Sequence, residues 1–259
     1  MKQGLLVVSF GSSVEKTRKN ITWTEQVLCS RMPQATFVRA FTSPRIRATL
    51  KKRGEEIFSP AQALENLYQQ GVTHVIIQPT HLLPGIDYEA LVQELEGYRT
   101  RFEAFFIGKP LLSSTHQVQA LARILMQRYT KQADTSLVYM GHGTEHFANL
   151  VYPALEMMMH AEGRTDCFVT TVEGWPDFET AAARVDTREV CLIPLMLTAG
   201  EHVLEDMLGD SSDSLSGVME QHGKTVHAVR EGLGSLEEVR EMYGALFDEL
   251  LHEAKLHMS

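Results

Sequence analysis

Gly4-Leu5-Leu6-Val7-Val8-Ser9-Phe10-Gly11-Ser12 lies at the start of the chain, and Ser136-Leu137-Val138-Tyr139-Met140-Gly141-His142-Gly143-Thr144 lies near its middle. Each is a short apolar run that stops at a glycine and a small polar residue. Neither run alternates apolar with polar residues. That pattern suits a strand buried on both faces, as in a parallel sheet covered by helices. Working outward, similar runs follow at Thr36–Phe41, His74–Gln78 and Ala104–Ile107, and again at Cys167–Thr171, Glu189–Leu195 and Thr225–Arg230. Between them, apolar residues recur at helical spacing, as in Ala61-Leu64-Leu67-Tyr68, Leu91-Leu95-Tyr98 and Val118-Leu121-Leu125. Strand and helix patterns in alternation predict βαβ units.

The two halves read as copies of one design. Matching Gly11 to Gly143 pairs Phe10 with His142, and matching Gly85 to Gly200 pairs Asp87 with His202. The fold expected is therefore α/β, with two similar lobes. Each lobe has a mostly parallel four-stranded sheet flanked by helices and faces a central cleft. The polar stretch from Arg128 to Thr135 sets the expected boundary, giving lobes 1–128 and 129–259.

Composition narrows the function. The net charge of −9 disfavours nucleic acid as a partner, and no basic stretch interleaved with aromatics restores it. The first apolar run is too short for a secretory signal, and no stretch reaches membrane-spanning length. The expected location is the cytoplasm, with no membrane partner. Cys29, Cys167 and Cys191 form no CxxC pair, so neither a disulfide framework nor a cysteine zinc site is expected. Nucleotide use lacks a signal too, because neither GxxxxGK[ST] nor a GxGxxG after a strand is present.

Ligands of parallel α/β sheets bind beyond the carboxyl ends of the strands. Three residues there suit a borderline divalent ion such as cobalt, nickel, iron or zinc: His142, Glu173 and His202, after strands 5, 6 and 7. The stretch Gly141 to Gly143 also reads as a tight turn with His142 capping the next helix. If that helix starts at Thr144, His146 shares a face with His142. In the first half, Ser9-Phe10-Gly11-Ser12 offers backbone N–H groups and hydroxyls to an anionic substrate. Arg39, Arg45, Arg47, Lys51, Lys52 and Arg53 form a basic cluster after strand 2, readable as a receiving surface or as a solvated helix face.

Six segments carry a resemblance that covers nearly the whole chain. They are Leu5-Leu6-Val7-Val8-Ser9-Phe10-Gly11, Arg39-Ala40-Phe41-Thr42-Ser43, Pro110-Leu111-Leu112-Ser113-Ser114, Met140-Gly141-His142-Gly143, Val172-Glu173-Gly174-Trp175-Pro176, and Pro194-Leu195-Met196-Leu197-Thr198-Ala199-Gly200-Glu201-His202. In these the chain resembles the sirohydrochlorin cobaltochelatases of the anaerobic cobalamin pathway, members of the class II chelatase superfamily related to ferrochelatase. The resemblance implies ATP-independent insertion of Co2+ into the tetrapyrrole sirohydrochlorin, with no nucleotide cofactor. It implies that His142, Glu173 and His202 hold the metal and act in catalysis. It places Asp87 at the acidic catalytic position of the first lobe, where relatives commonly carry a glutamate. Ser9, Phe10, Gly11, Ser12 and Glu89 are the expected substrate contacts. Fe2+, Ni2+ or Zn2+ as the metal, a homo-oligomeric state, and a non-catalytic metal- or haem-binding role all stay open at this stage.

Overall fold

The computed structural model describes residues 1–258. The chain divides into two compact units, Met1–Leu111 together with the residues from Arg240 on, and Leu112–Val239. The first unit contains β1 (Gln3–Ser9), α1 (Glu15–Arg31), β2 (Thr36–Phe41), α2 (Pro44–Lys52), α3 (Pro60–Gln69), β3 (His74–Pro79), α4 (Ile86–Glu96) and β4 (Ala104–Ile107). The second contains α5 (Thr115–Arg128), β5 (Thr135–Gly141), α6 (Val151–Ala161), β6 (Cys167–Thr171), α7 (Phe178–Ala182), β7 (Glu189–Pro194), α8 (Leu215–Gln221) and β8 (Thr225–Ala228). The last helix, α9 (Glu237–Met258), begins at the end of the second unit and contributes most of its length to the first.

Each unit holds one four-stranded parallel sheet. The orders are β2-β1-β3-β4 and β6-β5-β7-β8, so the two halves repeat a single topology. Leu5, Leu6, Val7 and Val8 of β1 are all fully buried, which explains why that run does not alternate. One face packs Leu6, Val8, Val75 and Ile77 against Leu64, Leu67, Leu91 and Leu95 of α3 and α4. In the second unit, Val138, Met140, Val190 and Leu192 pack against Ala181, Leu215, Val218 and Met219 of α7 and α8. Side-chain oxygens of Ser43, Ser59, Ser114, Asp177 and Ser214 cap the helices that follow them, fixing where each begins.

The units differ from the expected division after Arg128. Helix α5 groups with the second unit because it packs on α6, and Arg164 donates to the carbonyls of Met126 and Tyr129 at its end. Residues from Arg240 on group with the first. Arg31 of α1 pairs with Glu241 (2.8 Å) and Asp248 (3.1 Å), and buried Tyr243 donates to the Thr80 carbonyl (2.7 Å). Among the described residues, no helix is long and apolar enough to cross a membrane. The three cysteines are free thiols.

Candidate metal and substrate site

In the second unit the strands β5, β6 and β7 end in three loops, and hydrogen bonds draw the first two together. The Val172 and Glu173 N–H groups donate to the carbonyls of Gly141 (3.2 Å) and His142 (2.8 Å). Gly143 takes a φ of 84° and approaches the Gly174 nitrogen so closely that a β-carbon there would lie 2.7 Å from it. The Pro176 carbonyl accepts from the Thr171 N–H and from the hydroxyls of Thr170 and Thr171, anchoring the loop after β6. Beneath Gly141 lies the buried ring of Tyr152, whose hydroxyl accepts from the Gly143 N–H (3.4 Å). Burial pushes that phenol up to about 12, so it stays neutral.

His142 and His202 meet above this base, with ring centroids 4.5 Å apart and rings at 85°. His142 Nδ1 lies 3.0 Å from the Gly143 carbonyl oxygen, and His202 Nδ1 lies 2.7 Å from Asp206 Oδ2. A carbonyl and a carboxylate only accept, so both rings carry their proton on Nδ1. In that tautomer the ring's lone pair lies on Nε2, the atom through which an imidazole can bind a metal. Asp206 lies four residues on, and the helical turn Val203–Met207 brings it back beside His202.

Glu173 Oε2 lies 3.8 Å from His142 Nδ1, beside the ring edge away from Nε2. Among the described residues, no three histidine, cysteine or acidic side chains already converge as a metal cage. The two imidazoles are thus preassembled. The exposed Glu173 side chain stands apart from that pair, on the Nδ1 side of His142.

His142 caps no helix. The chain beyond it is irregular until a 3-10 turn at Phe147–Leu150, which leads into α6. His146 caps that turn instead, its Nδ1 accepting from the Ala148 N–H (3.1 Å), so the expected shared helix face with His142 does not exist.

The remaining candidates lie in the first unit, at the carboxyl edge of its sheet. Gly11 has a φ of 107° and packs against the Phe41 ring, where a β-carbon would come within 2.7 Å. Ser9 and Ser12 are buried. Their hydroxyls bond to those of Thr80 (2.8 Å) and Thr17 (3.0 Å), while Phe10 stands partly exposed between them. Asp87 and Glu89 both lie exposed in the first turn of α4. Two residues apart on a helix they diverge by about 200°, so they serve different directions. Three residues of the expected basic cluster are occupied within the fold, and Arg39 lies within β2 itself, not after it. Arg39 pairs with buried Glu25, Arg47 donates to the Phe41 and Thr42 carbonyls, and Arg53 donates to the Ser13 carbonyl.

His81, which follows β3, carries no signal in the sequence that sets it apart from the other histidines. Its backbone carbonyl accepts from the Leu111 N–H (3.0 Å), yet both ring nitrogens are buried without a hydrogen-bond partner. Burial holds its pKa down at about 4 against the opposing pull of Asp87, so the ring is neutral. Asp206, Asn149 and Tyr152 were not among the expected residues either. Asp206 alone left a readable trace, four residues after His202.

A repeated parallel α/β sheet with paired imidazoles at its strand ends has the features of a metal-handling enzyme of the chelatase class. The chain belongs to the cobalt chelatase (CbiK) family, whose model matches residues 3–251. It is 36% identical to a sirohydrochlorin cobaltochelatase of Salmonella typhimurium, over 98% of each chain. It is 28% identical to the sirohydrochlorin cobaltochelatase CbiKC of Nitratidesulfovibrio vulgaris, covering 91% of this chain and 86% of that one. Among solved structures, SirB of Bacillus subtilis with Fe3+ superposes with a TM-score of 0.67 at 15% identity, covering 96% of each chain. SirB in complex with cobalt, from Bacillus subtilis subspecies spizizenii, gives 0.64 at 15% identity, covering 98% of this chain and 96% of that one. These likenesses bear on the fold alone.

Proposed function

We propose that the protein inserts Co2+ into sirohydrochlorin without ATP, with Co2+ and the tetrapyrrole both as substrates. The observation that carries this reading is the His142–His202 pair, 4.5 Å apart with both Nδ1 atoms tied to acceptors. Full-length similarity to named sirohydrochlorin cobaltochelatases supports the choice of macrocycle and metal.

Metallation breaks two pyrrole N–H bonds, forms four Co–N bonds and releases two protons. His142 and His202 hold the incoming ion through Nε2, and Glu173 rotates to join them. Two neutral imidazoles and a carboxylate bind a borderline ion without trapping it, as a thiolate cage would. Transfer to four ring nitrogens then exchanges these ligands one by one. Asp87 accepts the two leaving pyrrole protons one after the other, and its carboxylate passes each to water. Phe10, Gly11 and Glu89 contact the macrocycle. Ser9 and Ser12 act through the backbone of the same loop, since their hydroxyls are already engaged.

Mixing the purified protein with sirohydrochlorin and Co2+ and following the macrocycle's absorbance tests the reading. Conversion to cobalt-sirohydrochlorin well above the protein-free rate is the expected result. Binding of the ring or the ion with no conversion would replace the enzyme with a non-catalytic binding protein. The SirB fold is known with either Fe3+ or cobalt, so competition between Co2+, Fe2+ and Ni2+ in the same assay fixes the preferred metal.

A further inference from the structure

Large apolar side chains left in solvent are informative when they gather in one place. In the second unit Phe147 is 80% exposed, Trp175 57%, Leu150 51% and Leu204 51%. All four follow the carboxyl ends of β5, β6 and β7, in the same connections that carry His142, Glu173 and His202. They are joined to the histidines by short links. Asn149 Nδ2 donates to the Trp175 carbonyl (2.6 Å), and Asn149 Oδ1 accepts from the Thr144 N–H (3.1 Å). The Glu173 N–H donates to the His142 carbonyl, and Leu204 lies two residues beyond His202.

Trp175 is the most pointed case. Its backbone is held from both sides, by Asn149 and by the three-donor anchor on the Pro176 carbonyl, while its indole stays in solvent. A hydrated metal ion needs no apolar neighbours. A flat conjugated ring with nitrogens at its centre needs an apolar seat beside metal-donating imidazoles. We propose that Trp175 is a substrate-binding residue that lies against the face of the tetrapyrrole. This rests on the chelatase reading above. A backbone held before binding loses no freedom when the ring arrives, so only the side-chain rotamer of Trp175 is left to be ordered.

The test measures two ligands separately: metal-free sirohydrochlorin by absorbance titration, and Co2+ alone by calorimetry. Trp175→Ala is expected to weaken sirohydrochlorin binding and raise its KM by about tenfold. Co2+ affinity and thermal stability should stay as in wild type. Trp175→Phe should restore most of the binding, and Trp23→Phe, which removes the other tryptophan in the sequence, should change neither ligand. Unchanged ring affinity and KM in Trp175→Ala would overturn the proposal. So would a parallel loss of Co2+ affinity and stability in both Trp175 variants, because the residue would then act by holding the loop. A wild-type protein that neither binds nor metallates sirohydrochlorin would remove the chelatase reading and this inference together. An active wild type with an unaffected Trp175→Ala removes the inference alone.

Discussion

His142 and His202 share one arrangement of hydrogen bonds. Each Nδ1 faces an oxygen that can only accept, and the proposed function makes each Nε2 the ligand. His142→Ala should fold as wild type, since the ring is partly exposed. Its chelatase rate should fall on the order of a hundredfold, because losses of supporting groups alone reach that range. Steady-state kinetics with Co2+ measures it, and near-wild-type turnover would remove His142 from the site. Asp206→Asn tests the support directly. An amide can present N–H instead of an acceptor to Nδ1, which loosens the ring and its tautomer. Cobalt affinity should drop by roughly tenfold to a hundredfold with little change in stability. Asp87→Ala should behave differently, slowing metallation more than it weakens Co2+ binding, the mark of an interaction made in the transition state. Equal losses in rate and metal affinity would instead give Asp87 a role in holding the ion. The places of His142, Glu173 and His202 at strand ends were legible in the sequence, because strand ends can be read from hydrophobic runs. Asp206 was harder, since its four-residue spacing from His202 carries meaning only once Val203–Met207 is known to be helical. Asn149 and Tyr152 left no trace, because their roles arise from how separate loops meet.

Among the elements, the loop after β5 is the most constrained. A β-carbon on Gly141 would lie 2.1 Å from the Tyr152 ring, and that ring is fully enclosed. Gly141→Ala should therefore destabilise the protein by about 1–3 kcal/mol through overpacking, and it should shift His142 and lower activity as well. Denaturant unfolding measures this, and an unchanged midpoint would mean that Tyr152 can move aside. The strands were the most legible elements. Thr36–Phe41, Ala104–Ile107 and Cys167–Thr171 fall where their apolar runs predict. The start of the helix after β5 was not legible. Gly143 and Thr144 look like a helix entry, but Asn149 Oδ1 takes the Thr144 N–H and His146 caps a later turn. Side chains competing for backbone donors displaced the helix by several residues, and apolar periodicity carries no record of such competition.

For the molecule as a whole, the repeated topology and the shared sheet order were written in the matched punctuation of the two halves. The division into units was less legible. α5 and the residues from Arg240 on are assigned by packing and ion pairs that bridge long stretches of sequence. Global stability carries a signature of His81. Its folded pKa lies near 4 while an ordinary histidine titrates near 6.5, so between these values the unfolded chain binds more protons. Stability is then full above about pH 6.5 and falls as pH drops toward 4, by at most about 3 kcal/mol from this residue. His81→Leu should flatten that slope and remove two unpartnered buried nitrogens at once. Unfolding curves across that range read it directly, and an unchanged slope would mean the ring finds a partner in solution. The central claim is turnover. Sirohydrochlorin and Co2+ in large molar excess over the protein, followed by absorbance to completion, test it most directly. The account predicts that wild-type protein converts many equivalents of the ring and that the His142→Ala, His202→Ala double variant stays near the protein-free rate. Wild-type conversion that stops at one equivalent, or a double variant as fast as wild type, would contradict it.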